Sequence, residues 1–185
     1  MHRSRYAVIT VAILLPLCVL FGAALFQPVS FAYRDSAAYY RPLFEWTAAE
    51  WGAGRIPLWN PHDNGGAPVL ADATSSVFYP GKLLFALPFT FSFNFKLYVI
   101  VHVLLAAAGA FFLARCWSTS HLAAACCAIA YAYSGSVLMQ YCNIVFLVGA
   151  AWMPLALLAA DRMLQHRSPR NGILFAIVLA LMVLG

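Results

Sequence analysis

The sequence predicts an all-α polytopic membrane protein, and three observations predict it. Of its 185 residues, 64% are hydrophobic and only 9% charged, where a soluble domain is roughly half apolar and about a quarter charged. Several apolar runs reach the length of a bilayer crossing. The Lys and Arg residues are shared unevenly between the segments that join those runs. A soluble enzyme and a disordered chain are excluded by composition. A nucleic-acid module is excluded because no basic stretch interleaves with stacking aromatics on a polar background.

The first run, Tyr6 to Phe26, carries no charge and covers roughly 31 Å as a helix, about the hydrocarbon thickness of a bilayer. Pro16 lies inside it and predicts a kink. It outlasts the apolar core of a cleaved signal peptide, and further spans follow, so a crossing is favoured. The next runs are 97–114, interrupted only by His102, then 122–142, with Ser134-Gly135-Ser136 near its middle, and 144–160, with Trp152 and Pro154. Ser134 to Ser136 are read as small residues for close helix packing. A fifth run, 173–185, is too short to span. The chain therefore reads as the N-terminal part of a longer membrane domain.

With the N-terminus cytoplasmic, the inner segments hold Arg3, Arg5, Arg115, Arg162, Arg167 and Arg170 against Asp161 alone. The 27–96 segment balances five cations (Arg34, Arg41, Arg55, Lys82, Lys96) against five acids (Asp35, Glu45, Glu50, Asp63, Asp72). The net charge of +5 thus lies on one side. That places the N-terminus inside and the long first loop outside.

A loop of that length is functional or disordered, and this one is too aromatic for disorder: Trp46, Trp51 and Trp59 recur through it, as suits a membrane–water interface. Pro42 at a first turn and Gly52 with Gly54 at the end predict a short helix lying along the surface. Residues 57–61, bounded by prolines, read as extended, Asn64-Gly65-Gly66 as a tight turn, and 79–81 as another. Phe85 to Phe95 reads as a return to the interface.

Each acid has two readings. Asp35, before Ser36-Ala37-Ala38, is either a helix cap or a general base at the membrane surface. Asp72 either caps a turn or joins a site. Asp63 reads as a turn residue, His62 as surface polar, and Glu45 and Glu50 as solvent-facing. Arg34, Arg41 and Arg55 are either phosphate partners or interfacial anchors. His102, inside a span, is a functional candidate by default, against a neutral ring bonded to a neighbouring helix. The five cysteines show no metal-ligand spacing and read as buried small hydrophobes.

The motifs Arg34-Asp35-Ser36, Tyr39-Tyr40-Arg41-Pro42-Leu43-Phe44, Gly54-Arg55-Ile56-Pro57-Leu58-Trp59-Asn60-Pro61, Gly65-Gly66-Ala67-Pro68-Val69-Leu70-Ala71 and Phe78-Tyr79-Pro80 stand in this order. With His102, the 130–135 stretch and Ala151-Trp152-Met153-Pro154-Leu155, they resemble the N-terminal part of the YfhO-like bacterial membrane proteins, within the GT-C class of membrane glycosyltransferases. The resemblance implies a GT-C-like transmembrane bundle with a large first extracytoplasmic loop, in the bacterial inner membrane. It implies transfer of a sugar from a polyprenyl-phosphate donor to a cell-envelope glycan or polymer. It fits Asp35 to the family's acidic catalytic position, where it would act as general base; Arg34, Arg41, Arg55, Asp72 and His102 are the substrate-binding candidates beside it. No cofactor and no metal ligand set is predicted; a divalent metal beside Asp72 stays open. A transporter or flippase of lipid-linked substrates and a non-catalytic scaffold are the rival expectations. A transporter would set its ionisable groups near the midplane, where the sequence has only His102.

Overall fold

The structure is a computed structural model that describes residues 2–27 and 31–185. It is predominantly helical, an apolar helix bundle with an ordered cap on one end. Helix α1 (His2–Phe26) is followed, across the start of the long loop, by a single π-helical segment, Ser36–Tyr40, that runs straight into α2 (Arg41–Gly52). Two short strands, β1 (Trp59–Asn60) and β2 (Ala67–Pro68), pair antiparallel, with Trp59 opposite Pro68. Three 3₁₀ segments, the last of them Pro80–Ala86, lead to α3 (Phe91–Cys116). The chain then forms α4 (His121–Ala132), α5 (Gly135–Leu138), α6 (Ile144–Gln165) and α7 (Pro169–Leu184).

Helix α3 is the centre of the bundle. It packs against α6 on one side and α4 on the other; α7 lies on α6 and α1 on α4. The contacts are made by small residues. Ala106, Ala107, Ala124, Ala128 and Ala151 are fully buried, and a Cβ at Gly109 would come 3.1 Å from the Leu155 side chain. Small residues let apolar helices approach closely where no water is present to drive them together.

Helices α3 and α6 are long and apolar enough to cross a membrane, and α4 with the segment Gly135–Cys142 makes a third candidate, bent by 45°. Val11–Ala24 within α1 and all of α7 are shorter apolar helices. The run 122–142 is therefore a broken helix, not a straight span. Ser134 is the cause: its hydroxyl accepts from the Val137 amide and caps a new helix. Open space surrounds a Cβ at Gly135, so these small residues break the helix and do not serve as a packing seam.

Two other boundaries move for a common reason. The run beginning at residue 97 was bounded by Lys96, yet α3 starts at Phe91, capped by Thr90. The Lys96 side chain is buried and its ammonium donates to the Gln27 carbonyl at 3.2 Å. Likewise α6 continues through Asp161 and Arg162 to Gln165. Charges at the ends of apolar helices reach polar partners along their stems and do not end the helix.

The cap has a core of its own, continuous with that of the bundle. Tyr40, Phe44, Val69, Val77 and Tyr79 are buried in the same cluster as Phe95, Tyr98 and Val103 of α3. The surface helix forms where Pro42 and Gly52 predict it, but Leu43, Phe44 and Thr47 are buried beneath it. It packs down onto the end of α3 and does not merely float on an interface.

Candidate active site

The site grows from a strained turn. Arg34 has φ of +53°, a left-handed conformation that an ordinary residue adopts at a cost. The Ser36 hydroxyl, fully buried, ties the turn back to the Phe31 carbonyl at 3.2 Å. The π-helical turn that follows widens the backbone spacing, a feature frequent at functional sites. Asp35 heads this turn, is exposed, and makes no capping hydrogen bond with its side chain. The cap reading of Asp35 is thereby not the one the structure adopts.

The π turn aims two adjacent tyrosines at different partners. The Tyr39 hydroxyl donates to Asp72 Oδ2 at 2.6 Å and sits 2.8 Å from Thr74 Oγ1. The Tyr40 hydroxyl donates to Asn143 Oδ1, at the start of α6. Asp72 also caps its own turn, accepting from the Thr74 amide at 2.9 Å and the Thr74 hydroxyl at 2.6 Å, which is the capping reading. Burial alone would raise the Asp72 carboxyl, but the bonds from Thr74 and Tyr39 outweigh it and hold the group below its usual value. Tyr40 is pushed up to about 12, first by burial and then by the negative charges of its surroundings, Asp35 and Asp72 among them. Tyr39 is raised by burial and by Asp72, with Asp63 contributing. Asp35, Asp63 and Asp72, far apart in sequence, thus converge electrostatically on one tyrosine pair.

Beside this pair lies a cleft of about 400 Å³. Its lining includes Tyr39, Leu43, Trp46, Asn60, His62 and Asp63, and no Lys or Arg. The far wall is the β1–β2 hairpin. Its turn is built as the glycines predict, with φ of 48° at Asn64, 76° at Gly65 and 117° at Gly66. A Cβ at Gly66 would meet the Trp59 indole at 2.6 Å, so glycine is needed there for both conformation and space. The Asx turn is made by Asn60, whose side chain accepts from the His62 amide at 3.0 Å. Asp63 accepts instead from the Asn64 side chain at 2.9 Å.

The cations divide. Arg34 is exposed and next to Asp35. Arg41 donates to Ser92 Oγ at 2.6 Å, joining α2 to α3. Arg55 forms a forked pair with Glu50, at 2.8 and 2.7 Å, on the exposed end of α2. Lys82 goes inward: its ammonium lies 2.9 Å from the centroid of the Phe44 ring and donates to the Ser75 carbonyl at 2.9 Å. Burial holds Lys82 well below the usual lysine range. Its stem lines a second cavity, about 360 Å³, with Trp51, Val77, Phe78 and Leu83.

His102 is buried in the bundle, roughly three turns into α3. Its hydrogen bonding is complete. Nδ1 faces the Tyr98 carbonyl at 2.7 Å; a carbonyl only accepts, so this nitrogen carries the proton. Nε2 then accepts from the Tyr79 hydroxyl at 2.7 Å, and the Tyr79 oxygen accepts from the Trp152 indole at 2.8 Å. This is a neutral histidine bonded within its own helix and to a tyrosine of the cap, not directly to a neighbouring helix, and both ring nitrogens are used.

Among family models, curated proteins and solved structures, none matches the chain. Among the described residues, no group of three His, Cys, Asp or Glu side chains is placed to hold a metal ion. Both Asp72 oxygens are already engaged, so the residues present do not fit the metal left open beside it. The sequence reading passed over Tyr39, Trp46 and Asn60. Tyr39 is aimed by the π turn, which no periodicity announces; Trp46 and Asn60 reach the cleft from α2 and β1.

Proposed function

We propose that this chain carries the catalytic carboxylate of a membrane glycosyltransferase, one that moves a sugar from a polyprenyl-phosphate donor to an extracytoplasmic cell-envelope acceptor. The observation that carries the reading is Asp35: an exposed carboxylate with no capping role, held by a strained turn and followed four residues on by Tyr39, which lines the cleft, on the capped end of an apolar bundle. The resemblance to the YfhO-like proteins supports the same assignment.

Asp35 takes the proton from an acceptor hydroxyl as that oxygen attacks the anomeric carbon. A bond forms between acceptor oxygen and sugar. The bond from sugar to lipid phosphate breaks, and the phosphate leaves with one more negative charge. Arg34 and Arg41 are the nearest cations along the chain to receive that charge. Transport is disfavoured by the position of the ionisable groups: the acids gather in the cap, and His102 is locked in neutral bonds.

The test is sugar transfer by membranes carrying the intact protein, with Asp35→Asn and Asp35→Ala variants. Loss of a general base lowers the rate about 10²–10⁴-fold while insertion stays normal. Full activity in both variants overturns the assignment.

A further inference from the structure

The end of the bundle away from the cap carries an independent feature. The Cys116 thiol lies 3.4 Å from Asp161, so the last turns of α3 and α6 share this end, and α7 starts from it before running back to the cap. There Gly185 accepts from the Ser76 hydroxyl at 2.7 Å. Between α6 and α7 runs a groove lined by Leu155, Leu158, Leu174 and Val178, with Arg162 and Asn171 at its α6–α7 turn end. Its volume is about 170 Å³, room for a section of alkyl chain and too little for a folded partner.

Arg162, Arg167 and Arg170 are all exposed at this turn. Among the described residues the one ion pair joins Arg55 to Glu50, so none of these three guanidiniums holds a carboxylate. The local acid, Asp161, is occupied by Gln165 at 2.8 Å and by Cys116. The turn itself is rigid: the Asn171 amide group bridges the Arg162 and His166 carbonyls at 3.3 and 2.8 Å, and Ser168 caps α7. The positive end of the α7 dipole adds to the same field.

We infer that the α6–α7 groove and its arginine turn form a binding site for an anionic glycerophospholipid, with an acyl chain between Leu158 and Leu174 and the phosphodiester on Arg162 and its neighbours. Apolar helices put the groove at bilayer depth, and uncompensated guanidiniums at its mouth select a lipid with net negative charge. Arginine suits the phosphate through its forked donors. The site uses none of the residues assigned to sugar transfer.

The probe is native mass spectrometry of the detergent-purified protein with phosphatidylglycerol and phosphatidylcholine offered in equal amounts. Wild-type protein retains phosphatidylglycerol preferentially. Each arginine removed, in Arg162→Ala and in Arg162→Ala with Arg170→Ala, lowers that preference about fivefold. Both residues are exposed, so the fold is not at stake. Leu174→Trp, which fills the groove, lowers retention of both lipids while circular dichroism stays unchanged. Equal retention of the two lipids by wild type overturns the site, as does an Arg162→Ala protein with undiminished preference. Displacement of the lipid by free glycerol phosphate also overturns it, since the acyl chain would then contribute nothing.

Discussion

Helix α2 separates two cavities of nearly equal size and unequal polarity. The cleft of about 400 Å³ sets Tyr39, Asn60, His62 and Asp63 against apolar Leu43 and Trp46, with no Lys or Arg in its lining. The cavity of about 360 Å³ is apolar, and its one charged group is the stem of Lys82, whose ammonium has turned inward onto Phe44. The helix is common to both; the difference comes from the opposite walls. A glycine-turned hairpin brings peptide and side-chain polar groups to the first. A Pro-started 3₁₀ segment, Pro80–Ala86, brings Leu83 and Pro80 to the second. The lesson is that the loop sorts its charges by wall: Asp63 stands at the cleft, and the lysine turns into the core.

Phe44 is where the two sides meet. It is 0% exposed and carries the Lys82 ammonium on its face. Phe44→Ala removes a filled core volume and costs about 3–5 kcal/mol, the largest effect expected in the cap. Thermal unfolding in detergent reads it. A change near zero would mean that the two cavities do not share one core.

Lys82→Met sharpens the contrast. Removing a buried ammonium that has no carboxylate partner raises stability by about 1–3 kcal/mol. The pH dependence gives the sign. Burial lowers the folded pKa of Lys82 below its unfolded value, so between the two the unfolded chain binds the extra proton and stability rises with pH. Wild type therefore gains stability as pH rises from the lowered folded pKa toward the ordinary lysine pKa, and Lys82→Met loses that gain. An unchanged slope in the variant would place the ammonium in water.

Tyr39→Phe is the smallest of the three. It deletes one hydrogen bond to Asp72, worth about 0.5–1.5 kcal/mol, and leaves the Thr74 bonds. Because the Tyr39 bond helps to hold the Asp72 carboxyl low, the variant titrates Asp72 at higher pH, readable by carbon NMR. A carboxyl that does not move would detach Asp72 from Tyr39.

Much of this was legible from local chemistry. Pro42 and Gly52 bracket α2, and Asn64-Gly65-Gly66 makes the left-handed turn that its residue types favour. What could not be read depends on partners distant in the chain. Lys96 ended a run on paper because its acceptor, the Gln27 carbonyl, is a tertiary neighbour. Lys82 counted as a surface cation because nothing nearby in sequence announces the Phe44 ring. Ser134 looked like a packing residue because a small hydroxyl serves seam and cap equally well. The bond from Tyr39 to Asp72, 33 residues on, needed the chain after the hairpin folded back to the π turn. Comparing the two cavities makes the pattern plain: residue types placed the turns, and long-range packing chose which charges each wall would show.

Tyr79 has a consequence for assembly. Its single oxygen is held by His102 and by Trp152, which reach it from two helices synthesised after it. Until α3 and α6 stand side by side, that hydroxyl has nowhere dry to go, and the segment around it has no seat. The cap emerges early but completes its docking late, so maturation runs counter to the order of translation.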